Sequence, residues 1–529
     1  MFRSRNLLCT AAALCLAALP AAGQQDCGFV LQTNPHLQST NAALLTRLGV
    51  ESLSTAVISA TKENGGLMDI GSSADSFTGG AQAQTYNRLS ERTVFYGGLS
   101  YSNFQGKQMG GPVLMDPDFN PFGLLEDNSD TAGSKKRELY AMQGALAYSL
   151  TRKLAIGGRL DYLCGDQTKV KDPRFSNILK DMDLSLGLDY AASESLDAGF
   201  NLRYRNSVEQ IMGGLYGDTD RTYFIIRDRG WFFGTREGLG GDSGIVSTQE
   251  YRPVNNTFCG AGLQIDWRGS AARVFVEAEI LARNGYYGRK TSTSPVYYEW
   301  SGAQTSLKGK ILLPRGERLS LIDFNLGYNP VNNRENTFTY TTEAGKNTVV
   351  NYTGQKQSLS RTDLAASAGY TFFKGTGGYR PEFKAGGALE YAARNQRTTV
   401  TPFYRTNSYS SVTASAFCEW NLARGKNIFS PGATLLLYSG SGNRATDGSY
   451  SGGTSTTILS FDNWLDRQFE YLTASRAGAA LSFTYTRLLP KGRALQVTAS
   501  DRFVSLLSKP EYLDGSVRNI ATLAVGINL

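Results

Sequence analysis

The sequence predicts an all-β chain rolled into a single transmembrane antiparallel β-barrel of about 18 strands (16–20), with short turns at one mouth and long loops at the other. Three observations predict this. An apolar/polar alternation of period two recurs along most of the chain, the breaks between the alternating runs are by turns tight and long, and the composition is that of a strand former. The 529 residues include 58 Gly, 28 Tyr and 26 Phe but only 15 Pro, which suits sheets rather than helices.

The chain opens with Arg3 and Arg5, an apolar run from Leu7 to Leu19, Pro20, and the small residues Ala21 and Gly23. This is the layout of a secretory signal covering residues 1–23, so the mature protein starts near Gln24. No Cys follows a lipobox-like pattern, so no lipoprotein anchor is expected. Residues 24–49 form a periplasmic N-terminal segment. Within it, "NAALLTRLG" puts Ala42, Leu44, Leu45 and Leu48 on one face of a helical turn, with Asn41 as N-cap. Such a segment docks on the lumen mouth or on a partner, or hangs free as a tail, the commoner arrangement.

Residues 50–529 carry the barrel. In Asp181–Tyr190, Met182, Leu184, Leu186, Leu188 and Tyr190 oppose Asp183, Ser185, Gly187 and Asp189. The same rhythm sets Leu196, Ala198, Phe200, Leu202 and Tyr204 against Asp197, Asn201, Arg203 and Arg205. It sets Val274, Val276, Ala278 and Ile280 against Glu277, Glu279 and Arg283, and Phe383, Ala385, Leu389 and Tyr391 against Glu382, Lys384 and Glu390. Tight breaks fall at residues 88–92, 150–153, 192–195, 268–273, 314–318, 374–378, 423–426 and 490–493, and long polar loops are expected at 106–136, 211–254 and 439–469. A soluble sandwich has no reason to sort its connections in this way.

Aromatics mark the same boundaries. Tyr86, Tyr148, Tyr190, Trp267, Phe372, Trp420 and Tyr485 precede tight turns, and Tyr101, Tyr162, Tyr204, Tyr328, Tyr391 and Tyr438 recur further along the following strands. A spacing of about eight or nine residues gives an apolar band of roughly 20 to 25 Å between two aromatic rings. The final strand, "NIATLAVGINL", puts Ala521, Leu523, Val525, Ile527 and Leu529 on one face. Pairing it with the first strand removes the exposed edge and turns that face to lipid.

With these strands, belts and apolar C-terminus, the chain resembles bacterial outer-membrane β-barrel proteins, in a Tyr-rich, large-loop style similar to uncharacterised barrel families of the Bacteroidetes. Barrels of that class usually end in Phe or Trp, whereas this chain ends in Leu529. The resemblance implies location in the cell outer membrane, insertion by the barrel-assembly machinery, contact with outer-membrane lipid and, in an uptake assembly, a TonB-dependent receptor or a surface lipoprotein as partner.

Little in the sequence points to catalysis. His36 is the only histidine among the 529 residues and precedes the barrel, whereas a barrel hydrolase needs a base near the outer rim. Cys27, Cys164, Cys259 and Cys418 are scattered, the last three beside apolar neighbours, and read as small unpaired hydrophobes. Asp116, Asp118, Asp127 and Asp130 could supply oxygen ligands to Ca²⁺, but their spacing is not that of an EF-hand and solvated loop charge is the preferred reading. No cofactor and no metal site are expected. With Arg3 and Arg5 removed from 54 Lys+Arg against 46 Asp+Glu, the net charge of about +6 excludes nucleic acid as a partner.

Two features remain as functional candidates. Arg159, Asp161, Asp183, Asp189, Asp197, Arg203, Arg205, Glu277, Glu279, Arg283, Glu382, Lys384 and Glu390 project to the lumen by alternation. They either set up a transverse field that orients polar solutes or form cross-strand ion pairs that stiffen the wall. The loop "RTYFIIRDRGWFF" carries Tyr223, Phe224, Trp231, Phe232 and Phe233, which form a constriction, an outward binding face, or simple packing within a loop domain. The expected function is a pore, or accessory uptake component, for a polar solute, and not an enzyme. The alternative is a plugged scaffold whose loops hold a partner protein, lipoprotein or glycan.

Overall fold

The computed structural model describes residues 26–529 apart from residues 128, 218–219, 240–243, 343–347 and 451–458, so the signal segment lies outside the described residues. Eighteen antiparallel strands close into one barrel. In chain order the first nine are β1 (Ser52–Asn64), β2 (Asp75–Arg88), β3 (Thr93–Met109), β5 (Gly133–Ser149), β6 (Leu154–Lys169), β7 (Arg174–Ala191), β8 (Leu196–Gly214), β11 (Arg252–Arg268) and β12 (Arg273–Gly288). The rest are β13 (Val296–Arg315), β14 (Arg318–Thr341), β15 (Val349–Lys374), β16 (Phe383–Val400), β17 (Phe403–Trp420), β19 (Asn427–Ser449), β21 (Arg476–Leu488), β22 (Ala494–Leu506) and β23 (Val517–Asn528), with the fragment β18 (Leu422–Arg424) continuing β17 past Asn421. Four further short strands, β4 (Gly123–Glu126), β9 (Phe224–Asp228), β10 (Phe233–Gly238) and β20 (Leu459–Ser460), form a separate inner sheet.

Closure is made by the last strand: β23 pairs with both β22 and β1, with Val525 opposite Ile58 and Ile527 opposite Ala56. Every wall strand thereby has two neighbours, the condition for a sheet to sit in hydrocarbon without unpaired backbone groups. The alternation sorts as expected. Leu186, Leu202, Leu263 and Leu523 are 58%, 56%, 63% and 54% exposed on the outer face, too much contiguous apolar surface for a protein bathed in water. Cys164, Cys259 and Cys418 are free thiols on that same face, and Cys27 is free and buried. The result is an outer-membrane-type barrel with a lipid-facing belt.

All eight tight turns lie where the sequence puts them, at one mouth. In two of them the left-handed backbone of Gly316 (φ +59°) and Gly425 (φ +60°) lets the chain reverse within a few residues. The opposite mouth is less regular than the alternation of short and long breaks predicts. Residues 170–173 and 401–402 connect strands there as tightly as any turn, because β6, β7, β16 and β17 continue as sheet beyond the membrane. For the same reason β3 runs to Met109 and β19 to Ser449, inside stretches expected to be loop. Strand length is uneven: β14 and β15 have 24 and 26 residues, β22 and β23 only 13 and 12. At about 2.5 Å of height per tilted residue, the tall wall stands roughly 30 Å above the short one.

Two of the aromatics expected at the belts face inward. Tyr86 is 3% exposed and packs on Tyr96 inside the barrel, and Tyr438 donates to the Leu472 carbonyl. Both occupy lumen positions of their strands, because residues of the opposite parity, Phe77 on β2 and Leu437 on β19, are the exposed ones. The largest buried apolar cluster also lies within the barrel, where Phe122, Tyr223, Ile225 and Val246 from the loops meet Phe175, Ile211, Tyr287, Tyr298 and Trp300 of the wall.

A charge placed on the belt must be desolvated by lipid, whereas a lumen position meets water. Leu202→Arg is expected to lower stability in lipid vesicles by about 2–4 kcal/mol, and Asn325→Arg, on the lumen side of β14, by at most about 1 kcal/mol. Urea unfolding monitored by tryptophan fluorescence reads both.

Candidate functional site: a lumen occupied from both mouths

The N-terminal segment does not hang free. It crosses the lumen at the short-turn mouth as a strap, built from the helix Cys27–Thr33 and two 3-10 turns, Pro35–Gln38 and Ala42–Arg47. Asn41 caps the second turn by accepting the Ala43 N–H at 3.0 Å, and Ala42, Leu44, Leu45 and Leu48 are all buried. One flank is apolar: Cys27, Val30, Leu37, Leu45 and Leu48 pack on Tyr86, Val94, Tyr96, Ala145 and Ala147 of the wall.

The other flank is polar. Ser39 Oγ and Thr40 Oγ1 donate to the Glu277 carboxylate at 2.5 and 3.0 Å, and Lys308 Nζ lies 3.0 Å from it. Asn41 Nδ2 donates to Gln264 Oε1 (2.9 Å) and to the Leu188 carbonyl (2.8 Å). Arg47 Nε donates to Asp189 (2.6 Å) with Asp197 at 3.5 Å. Asp26, at the start of the strap, accepts from Arg380 at 3.1 Å and Gln496 at 3.1 Å. The wall makes room with glycine: a Cβ at Gly187 would collide with the Asn41 side chain, and one at Gly157 with the backbone at Ala43.

His36 is 1% exposed, with Nε2 2.9 Å from Asp266 Oδ2. Asp266 also accepts from Arg268 and Arg273 at 3.0 and 2.8 Å. Nε2 lies between the Asp266 carboxylate and Arg273 Nη2, which is 3.0 Å away, and Nδ1 has no hydrogen-bond partner among the described residues. Burial pulls the proton affinity of this imidazole below its ordinary value, with the cation of Arg273 adding to the effect and Asp266 opposing it.

At the long-loop mouth the connections turn inward. The inner sheet runs β20–β10–β9–β4, all antiparallel. Before β4, residues 112–122 form a loop gripped from the wall. Arg283 donates to the Phe119 carbonyl (2.7 Å), Arg361 to Asn120 (3.1 Å), Asn333 to Pro121 (3.0 Å) and Asn177 to Val113 (2.9 Å). Asn256 binds the Asn120 side chain at 3.0 Å, and Arg394 pairs with Asp118 at 2.7 Å. Wall strands from β7 to β16 thus hold one loop. Arg205 and Arg283 lie over Phe119 at 5.4 and 4.7 Å and over Phe258 at 5.4 Å each, close enough for cation–π attraction.

The residues singled out from sequence divide by location. Asp189, Asp197 and Glu277 bind the strap, and Arg283 grips the loop, as given above. Arg203 bridges Asp183 (2.6 Å) and Glu279 (2.5 Å), Arg205 pairs with Asp181 (2.6 Å), Arg159 with Asp161 (2.8 Å), and Lys384 with Glu419 (3.3 Å). Glu390 stands exposed on the lumen face of β16, and Glu382 lies in the turn just before that strand. Tyr223, Trp231, Phe232 and Phe233 are 4–7% exposed, and Phe224 is covered by Arg236 at 3.9 Å. These aromatics pack within the inner sheet and its neighbours and present no outward face. Asp118, Asp127 and Asp130 are claimed by Arg394, Arg236 and Arg221, while Asp116 accepts the N–H groups of Asp118 and Phe119 within its own loop. The four carboxylates do not converge.

Arg361, Arg394, Asn256 and Asn333 were not singled out from sequence. Their lumen parity was readable, but nothing local marks which loop a wall arginine will hold. The nearest signal is the loop itself: "DPDFNP" has two prolines and an Asp able to close a turn on its own backbone.

Because docking lowers the proton affinity of His36, an undocked strap binds protons more readily, and docking is expected to weaken as pH falls below 6.5. Cleavage at Arg47 by added protease should rise toward acid in nanodisc-embedded protein, by up to about tenfold per pH unit relative to His36→Gln at the same pH. Equal pH profiles for the two proteins would remove His36 from the docking equilibrium.

Comparison with known proteins adds a family. No curated protein matches the chain in sequence. Among solved structures, it is similar to BauA, the ferric preacinetobactin receptor from Acinetobacter baumannii, at 8% identity over 90% of this chain and 80% of that one (TM-score 0.37). It is also similar to the outer membrane transporter YddB from Escherichia coli, at 9% identity over 90% and 81% (TM-score 0.41), and to the CymD monoaromatic hydrocarbon channel, at 9% over 96% and 94% (TM-score 0.28). Likeness at this level carries no functional inference. A family model matches residues 42–529, from the second turn of the strap to the closing strand, and the chain belongs to that family of unknown function, DUF6850.

Proposed function

We propose that the protein is a gated outer-membrane conduit for a polar solute, closed at rest by its own N-terminal strap and inward-folded loops. The observation that carries this reading is how the strap meets β7, β8, β11 and β12. It does so through hydrogen bonds and ion pairs of Asp189, Glu277, Gln264 and Asp266, all of which water can replace when the strap leaves. A wall meant to be filled permanently would gain more from apolar contact, since exchanging protein for water partners at a hydrogen bond nets only about 1 kcal/mol, or about 1.5–3 kcal/mol where one partner is charged. Above the strap, the ion pairs of Arg203 and Arg205 give the lumen a wet, charged lining suited to polar cargo. The reading involves no catalysis, and the one histidine is engaged in docking the strap.

A second reading has its own support. The apolar cluster joining loops to wall through Phe122, Ile225 and Trp300 and the tall hairpin β14–β15 suit a plugged barrel whose outer parts hold a protein or glycan. Planar-bilayer conductance separates the two. The intact mature protein is expected to show small or rare openings, and a variant lacking residues 26–48 to show larger and longer-lived steps, limited by the inward-folded loops that remain. Gly187→Gln, which evicts Asn41, should give intermediate, flickering steps. A deletion variant that inserts and stays silent would favour the plugged scaffold.

A further inference from the structure

Between the gripped loop, the β9–β10 turn and the wall strands β15 and β16 lies a cavity of about 450 Å³, within the size range of small-molecule sites. Part of its lining is apolar, with Phe122, Trp231, Phe232 and Leu359. The aromatic wall is held rigidly. Trp231 and Phe232 take left-handed backbone angles (φ +57° and +59°), a conformation that bulky L residues adopt only where their surroundings impose it. Trp231 is pinned by its Nε1–H to the Arg444 carbonyl (2.6 Å) and by stacking on Tyr409 at 5.9 Å. Asp228 closes the turn by accepting the Gly230 and Phe233 N–H groups at 2.8 and 3.2 Å.

The polar side of the cavity carries Arg137, Arg361 and Arg394 together with the carboxylates of Asp69, Asp116, Asp118 and Asp228, of which Asp69, Asp116 and Asp228 each accept a backbone N–H of their own loop. Arg361 and Arg394 share the Asp363 carboxylate, with Nε contacts of 3.0 and 2.5 Å. Arg394 aims a second nitrogen, Nη1, at Asp118 (2.7 Å). The two ends of that last contact differ in kind. The Arg394 side chain is 13% exposed, whereas that of Asp118 is 69% exposed at the loop tip. The neighbouring backbone at Phe119 and Asn120 is fixed by Arg283 and Arg361, so Asp118 can swing away without the loop unfolding. When it does, Arg361 and Arg394 are left sharing the single Asp363 carboxylate beside the aromatic wall, while the other lining carboxylates stay bound to backbone N–H groups.

We propose that this cavity binds a compact organic anion, one carboxylate-bearing group attached to an apolar body, whose carboxylate takes the place of Asp118 on Arg394 while its body lies against Trp231, Phe232 and Leu359. Asp118 is then an internal stand-in that keeps Arg394 paired when no solute is present. The proposal rests on the reading of the lumen as a solute path, but it is read by binding and not by conductance.

The test is equilibrium dialysis of 4-phenylbutyrate against full mature chain in nanodiscs, with empty nanodiscs subtracted. Saturable binding is expected for the natural chain, about fivefold tighter binding for Asp118→Asn, since the internal competitor is gone, and at least about tenfold weaker binding for Arg394→Gln. The uncharged 4-phenylbutyramide should fail to saturate both the natural chain and Asp118→Asn, and inorganic phosphate should compete only weakly. The amide comparison stands even if Arg394→Gln does not fold. Equal binding of acid and amide, no tightening in Asp118→Asn, phosphate competing as well as phenylbutyrate, or no saturation in any variant would each overturn the proposal. Saturable, Asp118-sensitive binding in a chain whose strap deletion stays electrically silent would uphold the site and remove the conduit.

Discussion

In hydrocarbon no water stands ready to receive an unpaired N–H or C=O, and the ladder between β1 and β23 is where this chain meets that requirement. Once those strands pair, every wall residue has a fixed side, and the period-two rhythm becomes a partition between lipid and lumen. A register slip of one residue at the seam would exchange the two faces of the closing strands, turning Thr522 and Asn528 to lipid and Leu523 and Val525 to the lumen. The aromatic belts, the tight turns at one mouth and the uneven wall all presuppose that partition.

Closure also creates a problem inside. A ring of eighteen strands encloses more space than its own side chains can fill. The chain fills it with its own segments, a strap below and gripped loops above, and the wall meets them with both apolar and charged residues. Two kinds of bond result. Apolar contacts of Leu45 and Leu48 with Tyr96 and Ala147 hold one flank of the strap firmly. Ion pairs and hydrogen bonds hold the other flank, where solvent competes for the same partners. A segment fastened in this way resembles a door with a greasy hinge and a wet latch.

The wall was legible in the sequence because its signals are local. Alternation, turn glycines such as Gly316, and aromatic spacing each need only a short window. Asn41 was legible as a cap for the same reason, since the side chain and the N–H it accepts are two residues apart. What was not legible depends on partners far along the chain. Nothing near His36 announces Asp266, and nothing near Arg361 announces Asn120. Tyr86 and Tyr438 were misplaced because an aromatic near a strand end looks the same whether its ring meets headgroups or a packed interior, and only strand parity separates the two. The tight connections at residues 170–173 and 401–402 were missed for another reason: a strand that continues past the membrane loses its apolar face, and with it the signal that marks it as a strand.

The unequal wall has a consequence for arrival. With β14 and β15 twice as long as β22 and β23, the outer rim is canted, with the β14–β15 hairpin on its high side. The opening looks obliquely along the cell surface and not straight out from it. If the lumen serves as a solute path, the side of β22 and β23 offers the less screened approach to it.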